Sequence, residues 1–206
     1  MRSRLHRRFA FQDGDEARDH FALVQATMEK AQRFTAVPGK GMVLVGLSAL
    51  FVGAVSARIH SAANWLATWG LEFLIALVIS LYTMAQKCGG WTNLLHSPSS
   101  KRCVLVLLPT AISGFATTLL AVRFGWIRFA EPIPAWLPGL WLLFYGAAVF
   151  SGGTVSLREV RELGALLFAT GILSCLFLWP AWITTALGFG LLHILFGARI
   201  WRRHES

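Results

Sequence analysis

Long apolar runs separated by short polar turns dominate the chain from residue 42 onward. A helix that crosses the hydrocarbon core of a bilayer needs about 20 mostly apolar residues. Six runs approach or reach that length: 42–59, 65–86, 104–122, 136–153, 163–179 and 181–201. Turns rich in glycine and proline separate several of them, and the link around Pro180 is very short. The pattern predicts an all-α polytopic membrane bundle of six transmembrane helices, arranged as three antiparallel hairpins.

The first 40 residues follow a different pattern, because they are mostly polar and hold many of the charged side chains. Residues 15–33 form a predicted amphipathic helix, in which one face carries Phe21, Val24, Met28 and Ala31. This helix packs under the bundle, lies on anionic lipid or docks a partner, and the sequence leaves all three interpretations open. The predicted domains are a cytoplasmic arm (1–40), a six-helix transmembrane domain (41–201) and a basic cytoplasmic tail (202–206).

Composition and charge support a membrane location. Of the 206 residues, 55% are hydrophobic and 14% are charged, whereas soluble domains carry about 25% charged residues. Sixteen of the 19 Lys and Arg residues fall on one side of the predicted bundle, together with both chain termini. The positive-inside rule therefore predicts that both termini lie in the cytoplasm. The net charge of +9 then calls for no nucleic-acid partner.

Glycines recur every seven residues within four of the predicted spans. A repeat of seven keeps a narrow seam on one side of a helix, and small residues let helices approach closely in lipid. These glycines are therefore predicted to form helix-packing grooves, although a path lined by backbone carbonyls is the alternative. They are Gly46, Gly53, Gly139, Gly146, Gly153, Gly164, Gly171, Gly190 and Gly197.

Two ionisable side chains lie inside predicted spans, Glu72 and His193. Such residues are costly in a membrane and are candidates for function by default. The two are predicted to meet across the bundle in a polar site that Tyr145 helps to complete. A structural alternative stays open, in which Glu72 pairs with Arg58 or Arg123 and His193 bonds a neighbouring carbonyl. The tryptophans Trp65 and Trp69 are predicted to lie at the outer membrane boundary.

Cofactor chemistry finds little support in the sequence. Zinc requires three or four converging ligands, and Glu72 with His193 supplies two. Cys175 has no ligand spacing, while Cys88 and Cys103 flank a loop predicted to be cytoplasmic, where thiols stay reduced. We therefore predict no cofactor, no metal site and no enzymatic activity.

The last predicted hairpin resembles the repeated hairpin of the acid-resistance membrane protein family (HdeD-like). The similarity covers about 40 residues and rests on 164–168, 171–173, Trp179-Pro180 and the glycines Gly188, Gly190 and Gly197. Residues 34–39 and 137–153 also resemble small uncharacterised six-span bacterial membrane proteins. The resemblance implies a bacterial inner-membrane protein, and neither family supplies catalytic residues.

Two functions are compatible with this sequence. The first is a non-enzymatic structural, stress-linked or accessory membrane subunit. The second is a small proton- or cation-linked transporter or channel that uses Glu72 and His193. The predicted partner in both cases is the lipid bilayer, and a homodimer or a larger membrane complex stays open.

Overall fold

The computed structural model describes residues 37–96, 98–154 and 156–205, so the helix predicted at 15–33 lies outside the described residues. For residues 98, 99, 102 and 103 only the backbone is described. The described part is all helical. Its elements are α1 (Gly39–Ser56), α2 (Ala62–Lys87), α3 (Trp91–His96), α4 (Pro98–Arg123), α5 (Trp136–Gly153), α6 (Arg158–Phe177), α7 (Ala181–Thr185), a π-helical segment (Ala186–Leu192) and α8 (His193–His204).

Five helices of the described part are long and apolar enough to cross a membrane. Four of them lie in α1, α2, α4 and α6. The fifth is the continuous helix Ala181–His204, called the C-terminal rod below, which consists of α7, the π-helical segment and α8. The remaining predicted span, 136–153, is a helix of 18 residues (α5), but it is not among the five. Its two tryptophans, one proline, one tyrosine and four glycines lower its average hydropathy.

The bundle has a packed centre and two peripheral helices. At the centre, α1 packs against the C-terminal rod, and α5 packs against α6 in the most extensive contact. Helix α2 contacts mainly α1, helix α4 contacts mainly α5, and both leave most of their apolar surface exposed. Helix α6 therefore packs more closely against α5, which precedes it, than against the rod that follows it.

Glycines line both central contacts. On the first contact, a Cβ atom added at Gly46 would lie 2.8 Å from the Gly190 carbonyl oxygen, and one added at Gly197 would lie 2.9 Å from the Gly39 carbonyl oxygen. On the second, a Cβ at Gly171 would lie 2.8 Å from the Gly139 carbonyl oxygen. The other glycines with the sevenfold spacing face a neighbouring helix in the same way: Gly53 faces the rod, Gly146 and Gly153 face α6, and Gly164 faces α5.

One end of the bundle, called the loop end below, is closed by residues 124–135. The backbone N–H of Ala62 donates to the Glu131 carbonyl oxygen at 2.7 Å, and that of Ala63 donates to the Phe129 carbonyl oxygen at 3.2 Å. These bonds satisfy N–H groups of the first turn of α2, which have no partner inside the helix. Ile127 is buried in the same contact, against Ala62.

The other end, called the basic end below, is held by ion pairs from the end of the chain. Glu205 accepts hydrogen bonds of 2.8 Å from Lys87 Nζ on α2 and from the Gly39 backbone N–H at the start of α1. On α6, Glu159 pairs with Arg203 at 3.0 Å. Residues 202–204, predicted to belong to a separate tail, continue α8, where Arg203 pairs with α6, and Glu205 directly after the helix contacts α1 and α2.

Glu162 adds a second ion pair between α6 and α8. Its two oxygens bind Arg158 at 2.8 Å and Arg199 at 3.1 Å. Together with Glu159, it places acidic side chains in the first turns of α6, opposite the basic last turns of α8. Carboxylates near a helix N-terminus and cations near a C-terminus both interact favourably with the helix dipole.

Burial alone would raise the pKa of the Glu205 carboxyl, but its hydrogen bonds have the larger combined effect. Lys87 and the backbone N–H groups of Gly39 and Lys40 all donate to the charged form, and they hold the pKa below its usual value. A carboxyl with a lowered pKa in the folded state stabilises that state at neutral pH, and this contribution is lost as the pH falls through the folded-state value.

The first prediction concerns the contact between α5 and α6. In Gly146→Ala, the new methyl group would press on the backbone of Leu167 and Phe168, which cannot yield as a flexible side chain would. We expect the free energy of unfolding in detergent to fall by about 1–3 kcal/mol. Gly70→Ala is the matched control, because a Cβ there meets nothing within 4 Å. Equal losses in both variants would contradict the close contact.

The second prediction concerns Glu205. At pH 7, Glu205→Gln should lower the free energy of unfolding by about 1.5 kcal/mol, the size of a hydrogen bond to a charged group. The difference from the wild type should shrink as the pH falls through the lowered pKa of Glu205, because the native carboxyl then becomes protonated as well. Thermal unfolding in detergent between pH 3.5 and 7 measures this difference.

Glu131→Gln is the control for this measurement, because Glu131 pairs with Arg128 on the exposed surface of the loop end. Exposed ion pairs contribute little to stability, so this variant should unfold like the wild type. A gap between wild type and Glu205→Gln that does not change with pH would refute the contribution of the Glu205 charge.

Candidate functional site

Glu72 lies on the face of α2 that packs against α1, and its side chain is only 4% exposed. Its Oε1 lies 2.7 Å from the hydroxyl of Ser48 on α1. The same hydroxyl lies 2.9 Å from the carbonyl oxygen of Val45, and a serine hydroxyl has one proton to donate. Glu72 Oε2 is buried without a hydrogen-bond partner among the described residues. The carboxylate is therefore only partly satisfied by protein groups.

An apolar groove of about 300 Å³ runs between α1 and α2, and Glu72 and Ser48 line it. Its remaining walls are Phe51, Val52, Val55, Thr68, Leu71 and Ile75. Phe51 and Leu71 are 71% and 60% exposed, so the groove opens at the outer surface of the bundle. Glu72 thus lies beneath an apolar surface rather than in a polar channel.

Trp65 and Trp69 point into the bundle, while their predicted depth at the outer membrane boundary stays a prediction. Both rings are buried, and neither Nε1 has a hydrogen-bond partner among the described residues. The Trp65 ring packs against Trp141 with the centroids 5.4 Å apart, and Trp69 packs against Phe189 at 6.0 Å. The face of α2 that carries these rings is the one that meets the bundle, which is why they turn inward.

His193 is held on both ring nitrogens. Its Nδ1 lies 3.0 Å from the carbonyl oxygen of Gly188 and its Nε2 lies 3.1 Å from the hydroxyl of Tyr145. A carbonyl oxygen only accepts, so Nδ1 carries a proton, and the Tyr145 hydroxyl donates to Nε2 in the neutral imidazole. The predicted bond from His193 to a neighbouring carbonyl is confirmed. The π-helical segment contains that carbonyl, and such segments are frequent at functional sites.

Glu72 and His193 are not brought together by a hydrogen bond, whereas Tyr145 and His193 are. Aromatic rings connect the two places: Trp69 packs on Phe189, and Phe189 packs on Tyr145 at 5.7 Å and on His193 at 6.5 Å. The predicted ion pair of Glu72 with Arg58 or Arg123 is likewise absent from the described part of the chain, because Ser48 occupies the position beside the carboxylate.

The metal-ligating side chains of the described residues do not gather into groups of three. Cys175 on α6 approaches the carbonyl oxygen of Trp136 at 3.6 Å, and Cys88 is a free thiol. The side chain of Cys103 lies outside the described atoms. The candidate site therefore consists of two separate places, the Glu72 groove and the Tyr145–His193 pair.

Sequence reasoning missed the acidic residues of the basic end. Glu159, Glu162 and Glu205 hold three helices to the C-terminal rod, but orientation was predicted from Lys and Arg alone. One sequence signal was available, since Glu159 and Glu162 lie just before the predicted span 163–179, next to Arg158 and Arg161. Mixed charges at a span terminus favour ion pairs with a neighbouring helix end.

Comparisons of this chain with protein-family models, with curated proteins and with solved structures found no match.

Proposed function

We propose that this chain is a six-span integral protein of a bacterial inner membrane, with both termini in the cytoplasm, and that it serves as a non-enzymatic structural or accessory subunit. The resemblance to the acid-resistance family further suggests a stress-linked role for such a subunit, and this role stays a prediction. The observation that carries the proposal is that the two intramembrane ionisable residues, Glu72 and His193, are bound by separate partners on either side of aromatic rings.

The position of α5 supports a sixth span. This helix begins beside the loop end, where Leu137 packs with Ala62 and Ile127. It ends beside the basic end, where Gly153 faces Arg161 on α6. Its 18 residues correspond to about 27 Å at 1.5 Å per residue, close to the thickness of the hydrocarbon core, about 30 Å. No Asp, Glu, Lys or Arg interrupts it.

The charge distribution supports the proposed orientation. The basic end gathers Lys87, Arg199 and Arg203 with their acidic partners, and the loop end holds few basic residues. Lys and Arg favour the cytoplasmic side, so we place the basic end in the cytoplasm.

The role of a structural or accessory subunit agrees with the hydrogen bonds of His193, which engage both of its ring nitrogens. A proton carrier needs a group that exchanges its proton with water or with a neighbour, yet both nitrogens of His193 are engaged and the residue is 4% exposed. The large exposed apolar surfaces of α2 and α4 would meet lipid, a second copy of the chain or another membrane subunit.

One observation favours the alternative, a small proton- or cation-linked transporter or channel. Glu72 Oε2 is buried and has no hydrogen-bond partner among the described residues. Intramembrane carboxylates often mark ion pathways. In this alternative Glu72 would bind the ion without help from His193, because the two residues have different partners.

The third prediction tests the sixth span. Single cysteines are placed at Phe129 and at Thr154 in a chain whose three native cysteines have been replaced by serine. In intact cells an impermeant thiol reagent should label the cysteine at Phe129 and not the one at Thr154, because α5 separates them. A cysteine at Asn93 should behave like the one at Thr154. Equal labelling at Phe129 and Thr154 would mean that α5 does not cross the membrane.

The fourth prediction separates the two functions. An accessory subunit should co-purify from native membranes with a partner in constant ratio. In reconstituted vesicles, neither the wild type nor Glu72→Gln should then carry a pH-dependent flux above that of protein-free vesicles. A protein that purifies alone and carries a proton or cation flux that Glu72→Gln abolishes would be a transporter. His193→Gln then divides the transporter alternative, because flux survives this variant if Glu72 acts alone and is lost if both residues take part.

A further inference from the structure

The groove between α1 and α2 has one polar feature that the rest of the fold leaves unused. Glu72 lies at its base, more than nine-tenths buried, and Oε2 has no hydrogen-bond partner among the described residues. Ser48 supports Oε1 alone, and its single proton is also within reach of the Val45 carbonyl oxygen. A buried carboxylate oxygen without a donor is costly, so a donor from outside the chain would gain a strong, charge-assisted hydrogen bond.

The walls of the groove restrict the chemistry of that donor. Phe51, Val55, Leu71 and Ile75 are apolar, and all four are at least 40% exposed at the outer surface of the bundle. Five helices of the described part are apolar enough for a bilayer, so this surface would face lipid acyl chains. A ligand that enters there must have an apolar body, and the carboxylate selects a positively charged head that carries N–H donors.

We propose that the α1–α2 groove binds a lipophilic primary ammonium compound. Its head donates to Glu72 Oε2, and its alkyl chain lies between Phe51 and Val55 on one side and Leu71 and Ile75 on the other. A fatty acid is excluded because its carboxylate would repel that of Glu72. An alcohol would lack the ionic attraction, and a quaternary ammonium would lack an N–H group to donate to Oε2. The volume of about 300 Å³ admits the head and the first part of an alkyl chain, and the rest extends into the lipid.

Tryptophan fluorescence gives the measurement, because Trp69 lies one helical turn before Glu72 on the same face of α2. The full chain in detergent micelles is titrated with a dodecylamine that carries a nitroxide quencher near its amine. Wild-type protein should show saturable quenching that unlabelled dodecylamine reverses. Dodecyltrimethylammonium and dodecanol should compete at least tenfold more weakly.

Two pairs of variants locate the site. Glu72→Gln should weaken binding at least tenfold, whereas Glu131→Gln, which removes a carboxylate from the exposed loop end, should bind like the wild type. Thr68→Phe should also abolish saturable quenching, because it fills the groove from its wall and leaves the carboxylate in place. Its control is Leu74→Phe on the exposed surface of α2, which should have no effect. If Glu72→Gln does not fold, the Thr68→Phe pair decides the question.

Several outcomes would overturn the proposal. Quenching that rises without saturation and equally in all variants would indicate simple partition into the micelle. Saturable binding that survives both Glu72→Gln and Thr68→Phe would locate the amine elsewhere. Equal competition by dodecyltrimethylammonium would remove the N–H donation that defines the site. The proposed accessory role does not depend on this groove, because co-purification with a partner is measured without the amine, so either proposal can fail alone.

Discussion

Direct contact between helix backbones is the constraint on which the rest of this structure depends. In a bilayer, burial of apolar side chains drives helix association weakly, so helices gain most from close approach. The two central contacts, α1 with the C-terminal rod and α5 with α6, bring carbonyl oxygens to positions that a side chain would occupy. The C-terminal rod contacts both α1 and α5. Its Gly190 and Gly197 face α1, while Gly188 faces Leu142 of α5. His193 points to the same helix, at Tyr145, so the backbone contacts also fix where the buried imidazole lies.

At the basic end, ion pairs add to the contacts between helix backbones. Glu205 follows the last turn of α8, yet its carboxylate lies at the first backbone N–H groups of α1 and beside Lys87 of α2. Glu159 and Glu162 bind Arg203 and Arg199 from α6. Each acid therefore lies near a helix N-terminus and each arginine near a C-terminus, where the helix dipoles favour them. Glu205 therefore joins the end of the rod to α1 and α2, while Glu159 and Glu162 join the same end of the rod to α6.

The sequence was sufficient for properties that follow from composition and period, and insufficient for those that depend on which neighbour a helix face meets. Apolar runs predicted the helices to within six residues at either end, including α5, which is not among the five helices long and apolar enough to cross a membrane. The preference of tryptophan for the membrane boundary predicts the depth of Trp65 and Trp69, but it does not reveal that their face of α2 meets Phe189 and Trp141. Glu72 was expected either to meet His193 or to pair with arginine, and its face instead meets Ser48. Residues far apart in sequence set these contacts, so no local pattern reports them.

Glu72 and His193 look equivalent in the sequence, since each is a lone ionisable residue in an apolar run, but the structure separates them chemically. His193 has two ring nitrogens and two partners, and its ring is stacked on Tyr145. Every polar atom is matched, so a ligand at His193 would have to displace a bond that already exists. Glu72 has two oxygens and one shared partner, and it lines a groove that opens at the outer surface of the bundle. A ligand that donates to Glu72 Oε2 would break no existing hydrogen bond and would supply the one that this oxygen lacks. Ligand binding is therefore favoured at Glu72, which is buried with an unmet hydrogen bond. The imidazole of His193 is buried to the same degree, but both of its nitrogens already have partners where the rod packs against α5.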